Sequence, residues 1–225
     1  MRILRLPTAN LAARMSTSNS NSQAQANGAY TAEEYQRNPD HVAKTSRGKD
    51  ESSYILTLHT DVAHHKEMTA LRNQHFPKHI NKLEAHIALF RALPGSELER
   101  IEFDIAKLAF NHERFQINTS QPFRLGKGVG IGVNPGPAKG IYEELRSKWE
   151  PFLSKQDLSF KAHYTMQNKV EDQKAVDETL DKLQKEFKGS KGVVEGLMLY
   201  RYDKGYWRRE KEFMFAGGSG SEKRP

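Results

Sequence analysis

Two stretches of the sequence share one pattern, Ala85-His86-Ile87-Ala88-Leu89-Phe90 and Ala162-His163-Tyr164-Thr165-Met166-Gln167. Their histidines, His86 and His163, are 77 residues apart. After each stretch the residue pattern predicts an amphipathic helix and then another strand, so the similarity extends beyond the quoted residues. A duplicated structural unit is the simplest explanation. The sequence therefore predicts two lobes that are related by a pseudo-twofold axis.

The elements predicted around these stretches alternate between strand and helix. Strands are predicted at residues 54–59, 82–92, 115–125, 129–133, 160–167, 193–202 and 207–215. Helices are predicted at residues 64–76, after a capping box at Ser96 and Glu99, after the loop at 134–137, and at residues 172–187. This alternation predicts an α/β or α+β class.

Composition limits the classes of protein that the chain can be. Its 225 residues suffice for one domain with tails, at roughly 150 residues per domain. The chain has no cysteine, which excludes disulfide scaffolds, thiolate nucleophiles, zinc ribbons and iron–sulfur ligation. No apolar run approaches the roughly 18 residues that cross a bilayer, so we expect no membrane association.

The positive charge of the chain is unevenly distributed. The formal net charge is +7, and residues 51–215 carry only +3 of it, with 26 basic and 23 acidic side chains. A mildly basic domain agrees with a phosphate-bearing substrate, but it is too weakly charged for tight binding of duplex nucleic acid, which needs a dense phosphate-contacting face.

Three regions are expected along the chain: residues 1–50 as a disordered leader or targeting segment, 51–215 as the ordered domain, and 216–225 as a flexible tail. Residues 1–32 contain three arginines and no Asp or Glu, a composition typical of mitochondrial presequences. Pro7 and Asn10 interrupt the helix that such a signal needs, and Met15 is an alternative start. We therefore expect a cytoplasmic protein, with mitochondrial import as the alternative.

The strand period determines which side chains of the repeated stretches lie together, because residues i and i+2 share a face. The sets that result are His86, Ala88 and Phe90 in the first stretch and His163, Thr165 and Gln167 in the second. If the two lobes face each other, two imidazoles and one hydroxyl meet in one cleft. Ala88, Phe90 and Gln167 are then candidates for its lining, although Phe90 fits the core equally well.

In these residues the sequence resembles the 2H phosphoesterases, a family that includes RNA 2′-5′ ligase-like and cyclic phosphodiesterase proteins. The family signature is two copies of His-hydrophobic-Thr/Ser-hydrophobic, each on an inner strand of a two-lobed fold. The resemblance covers about residues 54–215 in the order of the elements. It implies an α+β fold, in which each of two lobes has an antiparallel sheet with flanking helices and a central cleft separates the lobes.

This resemblance implies roles for individual residues. His86 and His163 correspond to the two catalytic histidines, and Thr165 corresponds to a phosphate-binding hydroxyl. Ala88 departs from the pattern, because it occupies the position of the first Thr/Ser and offers a phosphate oxygen no donor. Loss of one preorganised donor lowers a rate by about 10²–10³, so we expect a slowed reaction unless a nearby Lys, Arg or water replaces the hydroxyl.

The chemistry that the family implies is the opening of a 2′,3′-cyclic phosphate, or the cleavage or formation of a 2′-5′ linkage. One imidazole would take a proton from the attacking oxygen while the other protonates the departing one. The expected partner is an RNA end or a small nucleotide phosphodiester. Thr165, a charged imidazole and backbone donors would meet the phosphate charge, so we expect no metal ion and no cofactor. We also expect a monomer.

Two other interpretations stay open at this point. One is a non-catalytic RNA- or nucleotide-binding descendant of the same fold, which Ala88 favours, and the other is an α+β protein without phosphate chemistry. Thr165 is also a common strand residue in its own right.

Two further groups of residues suggest a metal site or a nucleotide-binding loop, but neither group matches a known motif. The histidines at 64, 65, 75 and 79 lack the His-Glu-x-x-His spacing, so we expect solvated side chains rather than a metal site. The glycines at 126, 128, 130 and 132 fit no nucleotide-binding loop. We expect them to line a strand face that another backbone or a ligand approaches closely.

Overall fold

The structure is a computed structural model, in which residues 52–217 are described. The predicted leader at residues 1–50 lies outside the described residues, and so do all but two residues of the predicted tail at 216–225. Among the described residues, no helix combines the length and the apolar character that crossing a bilayer requires.

The described part of the chain forms seven strands and four α-helices. The strands are β1 (Ser53–Thr60), β2 (Ala88–Pro94), β3 (Phe115–Arg124), β4 (Val129–Val133), β5 (His163–Gln167), β6 (Lys191–Asp203) and β7 (Tyr206–Met214). The helices are α1 (Val62–His75), α2 (Leu98–Asn111), α3 (Pro137–Trp149) and α4 (Gln173–Glu186). The predicted α+β class is confirmed, whereas the pseudo-twofold relation between two lobes stays a prediction.

Strand β6 is the centre of the sheet because it is paired along both edges. One edge pairs with β1, and the other pairs with β3 over its first residues and with β7 from Gly196 onward. The full order is β2-β1-β6-β3-β4-β5, with every pair antiparallel. The two repeated stretches therefore lie at opposite ends of the strand order, on β5 and at the start of β2.

Helix α1 is fixed to the sheet by the residue that begins it. One carboxylate oxygen of Asp61 accepts a hydrogen bond from the backbone N–H of His64 at 3.0 Å, which caps the helix. The other oxygen accepts from the backbone N–H of Val193 on β6 at 2.7 Å. The backbone hydrogen bonds hold the pKa of Asp61 below its usual value, although burial acts most strongly in the opposite direction. The same side chain thus starts α1 and positions it on β6.

The predicted apolar stripes of the next two helices form the core. Ile101, Ile105 and Leu108 of α2 are at most 2% exposed, and so are Ile141, Leu145 and Trp149 of α3. Trp149 also donates its indole N–H to Asp104 of α2 at 2.9 Å, which satisfies its one polar atom. The spacing of three or four residues identified these buried faces correctly.

Two local predictions are wrong. The strand predicted at 82–92 begins only at Ala88, because Leu83 and Ala85 are bonded through their backbones to side chains of α1 instead of to β1. The capping box of Ser96 and Glu99 is not formed, because residues 95–97 make a 3₁₀ turn that leads directly into α2.

Close packing between α1 and β6 gives a test of the fold. A Cβ atom on Gly192 would lie 2.4 Å from Cγ of the buried His64 ring. We expect Gly192→Ala to lower the free energy of unfolding by about 1–3 kcal/mol through overpacking. Urea denaturation followed by circular dichroism measures the change.

A matched control is Gly140→Ala on α3. A Cβ atom there meets nothing within 4 Å, and glycine is a poor helix former, so this variant should gain about 0.5–1 kcal/mol. Equal stability of Gly192→Ala and the parent chain would contradict the described packing of His64.

Candidate active site

Both candidate histidines make the same hydrogen bond to the main chain. The Nδ1 atom of His86 lies 2.8 Å from the carbonyl oxygen of Glu84, and Nδ1 of His163 lies 2.6 Å from that of Lys161. A carbonyl oxygen can only accept, so Nδ1 carries the proton and donates it in each case. In the neutral rings this leaves Nε2 as the proton acceptor, so both imidazoles have the same tautomer and the same free atom.

The two rings lie within electrostatic reach of one another. The charge of His163 acts on the pKa of His86, and the charge of Arg91 acts on both histidines. Both side chains are half-buried, which leaves them reachable from solvent. The two histidines that the repeat singled out are thus close enough for the charge of one to act on the other, and Arg91 is within the same range of both.

Burial is the main cause of the unusual titration of these rings. It lowers the pKa of His86 to about 3, with the charge of Arg72 as the second cause. The pKa of His163 is also below its usual value, first because of burial and then because of Arg91 and Lys161, while the bond to the Lys161 carbonyl acts in the opposite direction. Both imidazoles are therefore neutral at pH 7 in the unliganded protein.

Aromatic side chains cover each ring. The ring centroids of His86 and Trp207 are 4.3 Å apart, and Trp207 comes from the β6–β7 hairpin. The Phe123 ring approaches His163 edge-on at 6.0 Å, with the ammonium of Lys161 4.0 Å from its centroid. Each imidazole thus has an aromatic neighbour.

Thr165 lies on β5 with its side chain half-exposed, between the buried Tyr164 and Met166. Its alternation with them agrees with the predicted shared face of His163 and Thr165. The carbonyl oxygen of Thr165 accepts a hydrogen bond from the guanidinium of the buried Arg72 at 2.6 Å. Arg72 thus connects α1 to the backbone at the second motif.

The neighbouring strand β4 presents glycine to this face. Gly130 pairs with Thr165 and Gly132 pairs with His163, so these glycines share their face. A Cβ atom on Gly130 would lie 2.9 Å from the Phe123 ring, and one on Gly132 would lie 2.2 Å from the Ser120 hydroxyl. At these two glycines the close approach is made by side chains of β3. At Gly128 it is made by backbone, as predicted, because a Cβ atom there would lie 1.9 Å from the carbonyl oxygen of Gln167.

A β-bulge follows the second motif position in both strands. Thr57 pairs with Ala88 and Leu56 pairs with Phe90, so β2 has one extra residue at this point. In β5 the shift lies between the pairs Gly130–Thr165 and Val129–Gln167. An extra residue inverts the alternation of faces beyond it.

This inversion corrects two of the predicted cleft-lining residues. Phe90 is 0% exposed and packs against Tyr142 and Trp149, with ring centroids 5.2 and 5.0 Å away. Gln167 is buried and donates to the hydroxyl of Thr179 on α4 at 2.9 Å. Neither side chain lines a cleft. Ala88 precedes its bulge and stays half-exposed on the face of Thr57.

A buried polar chain supports Tyr164 from behind the motif strand. His64 contacts the Tyr164 hydroxyl through Nε2 at 3.0 Å and the Ser190 hydroxyl through Nδ1 at 2.9 Å. Ser190 donates in turn to Glu67 at 2.7 Å, and the hydroxyl of Thr60 bonds Tyr164. His64 is 2% exposed, so the expectation that it is solvated is wrong. Within residues 52–217, no group of three or more His, Asp or Glu residues is placed to hold a metal ion.

An open cavity of about 240 Å³ lies beside His86. Polar groups in its wall include Thr57, His59, His65, Tyr200 and Arg209, together with His86 itself. Repeat and spacing alone did not identify this surface, because its residues come from β1, α1 and the β6–β7 hairpin. It provides room for a small polar ligand next to one imidazole.

Comparison with known proteins adds to this geometry. A sequence model described as the 2′-5′ RNA ligase superfamily matches residues 60–206. The fold is similar to the crystal structure of TT0787 of Thermus thermophilus, with a TM-score of 0.52, 14% identity, and coverage of 75% of this chain and 100% of that chain. It is also similar to the crystal structure of E. coli LigT complexed with 3′-AMP, with a TM-score of 0.50, 12% identity, and coverage of 73% and 98%. A comparison with curated proteins finds no match.

The contact between Trp207 and His86 predicts a measurable titration. Trp207→Ala should admit water to the imidazole and raise the pKa of His86 by about one unit or more, toward the usual 6.5. The pH dependence of the His86 ring resonances in NMR spectra checks this.

The neighbouring Tyr206→Ala serves as the control, because Tyr206 is 55% exposed and contacts Lys82 rather than His86. An unchanged His86 titration in the Trp207 variant, with the fold retained, would show that the indole does not desolvate the ring.

Proposed function

The chain belongs to the 2′-5′ RNA ligase superfamily, and on that premise we propose that it is an enzyme of phosphodiester chemistry. Its reaction is the opening of a 2′,3′-cyclic phosphate, or the cleavage or formation of a 2′-5′ linkage. The substrate is an RNA end or a small nucleotide. His86 and His163 act as acid and base, and Thr165 binds a phosphate oxygen.

The observation that best supports the proposal is that the two imidazoles have the same tautomer. Each donates its Nδ1 proton to a carbonyl oxygen two residues earlier, so each ring offers Nε2 for proton transfer. A base must be neutral and an acid must be charged in the productive state. Two equivalent rings within electrostatic reach can take either role, and the roles exchange when the reaction runs in reverse.

Hydrolysis of a cyclic phosphate needs two proton transfers. The neutral imidazole takes a proton from water while the water oxygen forms a bond to phosphorus. The bond between phosphorus and one ribose oxygen breaks, and the charged imidazole gives its proton to that oxygen. The product is a phosphomonoester beside a free hydroxyl, and the two imidazoles have exchanged protonation states.

Binding of the substrate anion supplies the charged imidazole. Both rings are neutral at pH 7 in the unliganded protein, because their pKa values are lowered. A phosphodiester anion close to an imidazole favours its protonated form and raises its pKa. The substrate therefore helps to create the acid that the reaction needs.

The nucleotide class of ligand has support from a relative. The LigT crystal structure that resembles this fold contains 3′-AMP, which has the phosphate position that opening of a cyclic phosphate produces. We propose the same ligand class here, in the space between the two histidines and the cavity beside His86.

Replacing either histidine tests the mechanism. We expect His86→Ala and His163→Ala each to lower kcat for adenosine 2′,3′-cyclic phosphate by at least about 100-fold, because one proton transfer loses its partner. Circular dichroism checks that the fold is retained. The exposed His79→Ala is the matched control and should have the parent rate.

The same assay is run with and without EDTA, and the rate should not change, because the proposed steps use only side chains and backbone groups.

Near-parent activity in either histidine variant would remove the two-histidine mechanism. Binding of 3′-AMP without turnover of cyclic or 2′-5′ substrates would favour the non-catalytic binder that Ala88 allows.

The lowered pKa values predict the pH dependence of the reaction. In the free enzyme the acid is protonated only below its pKa, and both histidines titrate below 6.5. The maximum of kcat/KM should therefore lie below pH 6.5, and kcat/KM should fall as the pH rises above that value. Because bound phosphate raises these pKa values, the kcat profile should lie at higher pH. A kcat/KM maximum above pH 7 would contradict this assignment.

A further inference from the structure

The bulge in β2 brings a cation to the face that carries Ala88. A second register shift of β2 lies between Phe90 and Leu93. Phe90 is buried in the core, whereas Arg91 is exposed, so the Arg91 side chain lies on the face away from the core. This is the face that Ala88 shares with Thr57. Arg91 is exposed, unlike its buried neighbours Phe90 and Ala92. The position expected for an aromatic side chain is thus taken by a guanidinium.

The backbone at Arg91 is held by a buried carboxylate. Asp157 accepts hydrogen bonds from the backbone N–H groups of Arg91 and Ala92 at 2.9 and 3.0 Å. Ser154 donates its hydroxyl to the same carboxylate at 2.9 Å, and Asp157 is 1% exposed. These bonds close the free edge of β2 and set the direction in which the Arg91 side chain leaves the strand.

Within residues 52–217, the guanidinium of Arg91 has no hydrogen bond or ion pair, although its backbone N–H is bonded to Asp157. Other arginines near the site are engaged. The guanidinium of Arg72 donates to the carbonyl oxygens of Leu83 and Thr165, and Arg209 pairs with Glu212. Arg91 is thus available to a ligand in this part of the chain.

The charge of Arg91 reaches both imidazoles, since it acts on His86 and on His163. A phosphate bound by both imidazoles would therefore also be attracted by the positive charge of Arg91. Arginine suits this role because its planar group can donate two parallel hydrogen bonds to phosphate oxygens.

The two motif strands carry different polar side chains at equivalent positions. Thr165 occupies the position that Ala88 has in β2, and Asn168 occupies the position of Arg91, five residues after the histidine. The Asn168 side chain accepts a hydrogen bond from the backbone N–H of Lys169 at 2.8 Å, so it caps the end of the strand. One strand thus carries a hydroxyl and the other a guanidinium.

We propose that Arg91 binds the phosphate group of the substrate and takes the role for which Ala88 has no hydroxyl. This inference rests on the proposed function of the two histidines. It assigns the phosphate to two unlike donors, Thr165 from β5 and Arg91 from β2.

The experiment compares Arg91→Gln and Arg91→Lys with the parent chain. Kinetics with adenosine 2′,3′-cyclic phosphate should show a fall in kcat/KM of about 10²–10³ for Arg91→Gln and a smaller fall for Arg91→Lys, which keeps the charge and loses the paired donors. Arg114→Gln, which removes an exposed arginine paired with Glu195, is the matched control and should leave kcat/KM unchanged.

A second readout separates phosphate binding from a structural role. Loss of the Arg91 charge should raise the pKa values of both histidines, so the kcat/KM maximum of Arg91→Gln should move to higher pH, whereas Arg91→Lys should keep the parent profile. A merely structural role would lower the rate without moving the profile.

Rescue at the neighbouring position is the sharpest test. Ala88→Thr should restore kcat/KM at least tenfold in the Arg91→Gln background and should change the parent enzyme much less. An equal gain in both backgrounds would overturn the proposal, because the hydroxyl would then be supplying something that Arg91 does not.

Calorimetric titration with 3′-AMP distinguishes failure of this inference from failure of the proposed function. If no phosphodiester is turned over but Arg91→Gln weakens 3′-AMP binding at least tenfold, the proposed reaction fails and the role of Arg91 stands. If turnover and 3′-AMP binding are both unchanged in Arg91→Gln, the reaction stands and the role of Arg91 is overturned.

Discussion

The hydrogen bond from Nδ1 of each candidate histidine to a main-chain carbonyl is the constraint on which the site depends. It fixes the orientation of the ring and, because a carbonyl only accepts, it fixes the tautomer as well. The carbonyl belongs to the residue two positions earlier in both cases, so the bond is local. The same short segment that carries each imidazole therefore also prepares it for proton transfer.

The sequence was sufficient for the fold class, because period and the alternation of elements are properties that a sequence displays directly. The catalytic role of the two histidines stays a prediction. The sequence was not sufficient for the faces beyond Ala88 and Thr165. A bulge depends on which residue of the partner strand bonds which backbone group, and Phe90 looks like a continuation of the motif face. One signal was present: Leu89 and Phe90 are adjacent and apolar, and Arg91 follows them, which interrupts the alternation.

His64 shows a second kind of limit. Its burial depends on Gly192, which is 128 residues away in the chain and lacks the side chain that would exclude the ring. No local pattern around His64 contains this information. The cavity beside His86 has the same origin, because its wall combines residues from one helix and four strands that meet only in the folded chain.

In the polar chain behind Tyr164, every hydrogen bond is donated toward Glu67. The one proton of the Ser190 hydroxyl goes to Glu67, so that oxygen accepts from Nδ1 of His64. Nε2 of His64 then accepts the proton of Tyr164, whose oxygen is left to accept from Thr60. The exposed carboxylate of Glu67 thus determines which group donates and which accepts in each hydrogen bond as far as Tyr164, the residue between His163 and Thr165. If Glu67 were replaced by a residue without an acceptor, the Ser190 hydroxyl would lose the partner that fixes its proton, and the direction of each hydrogen bond up to Tyr164 would no longer be fixed.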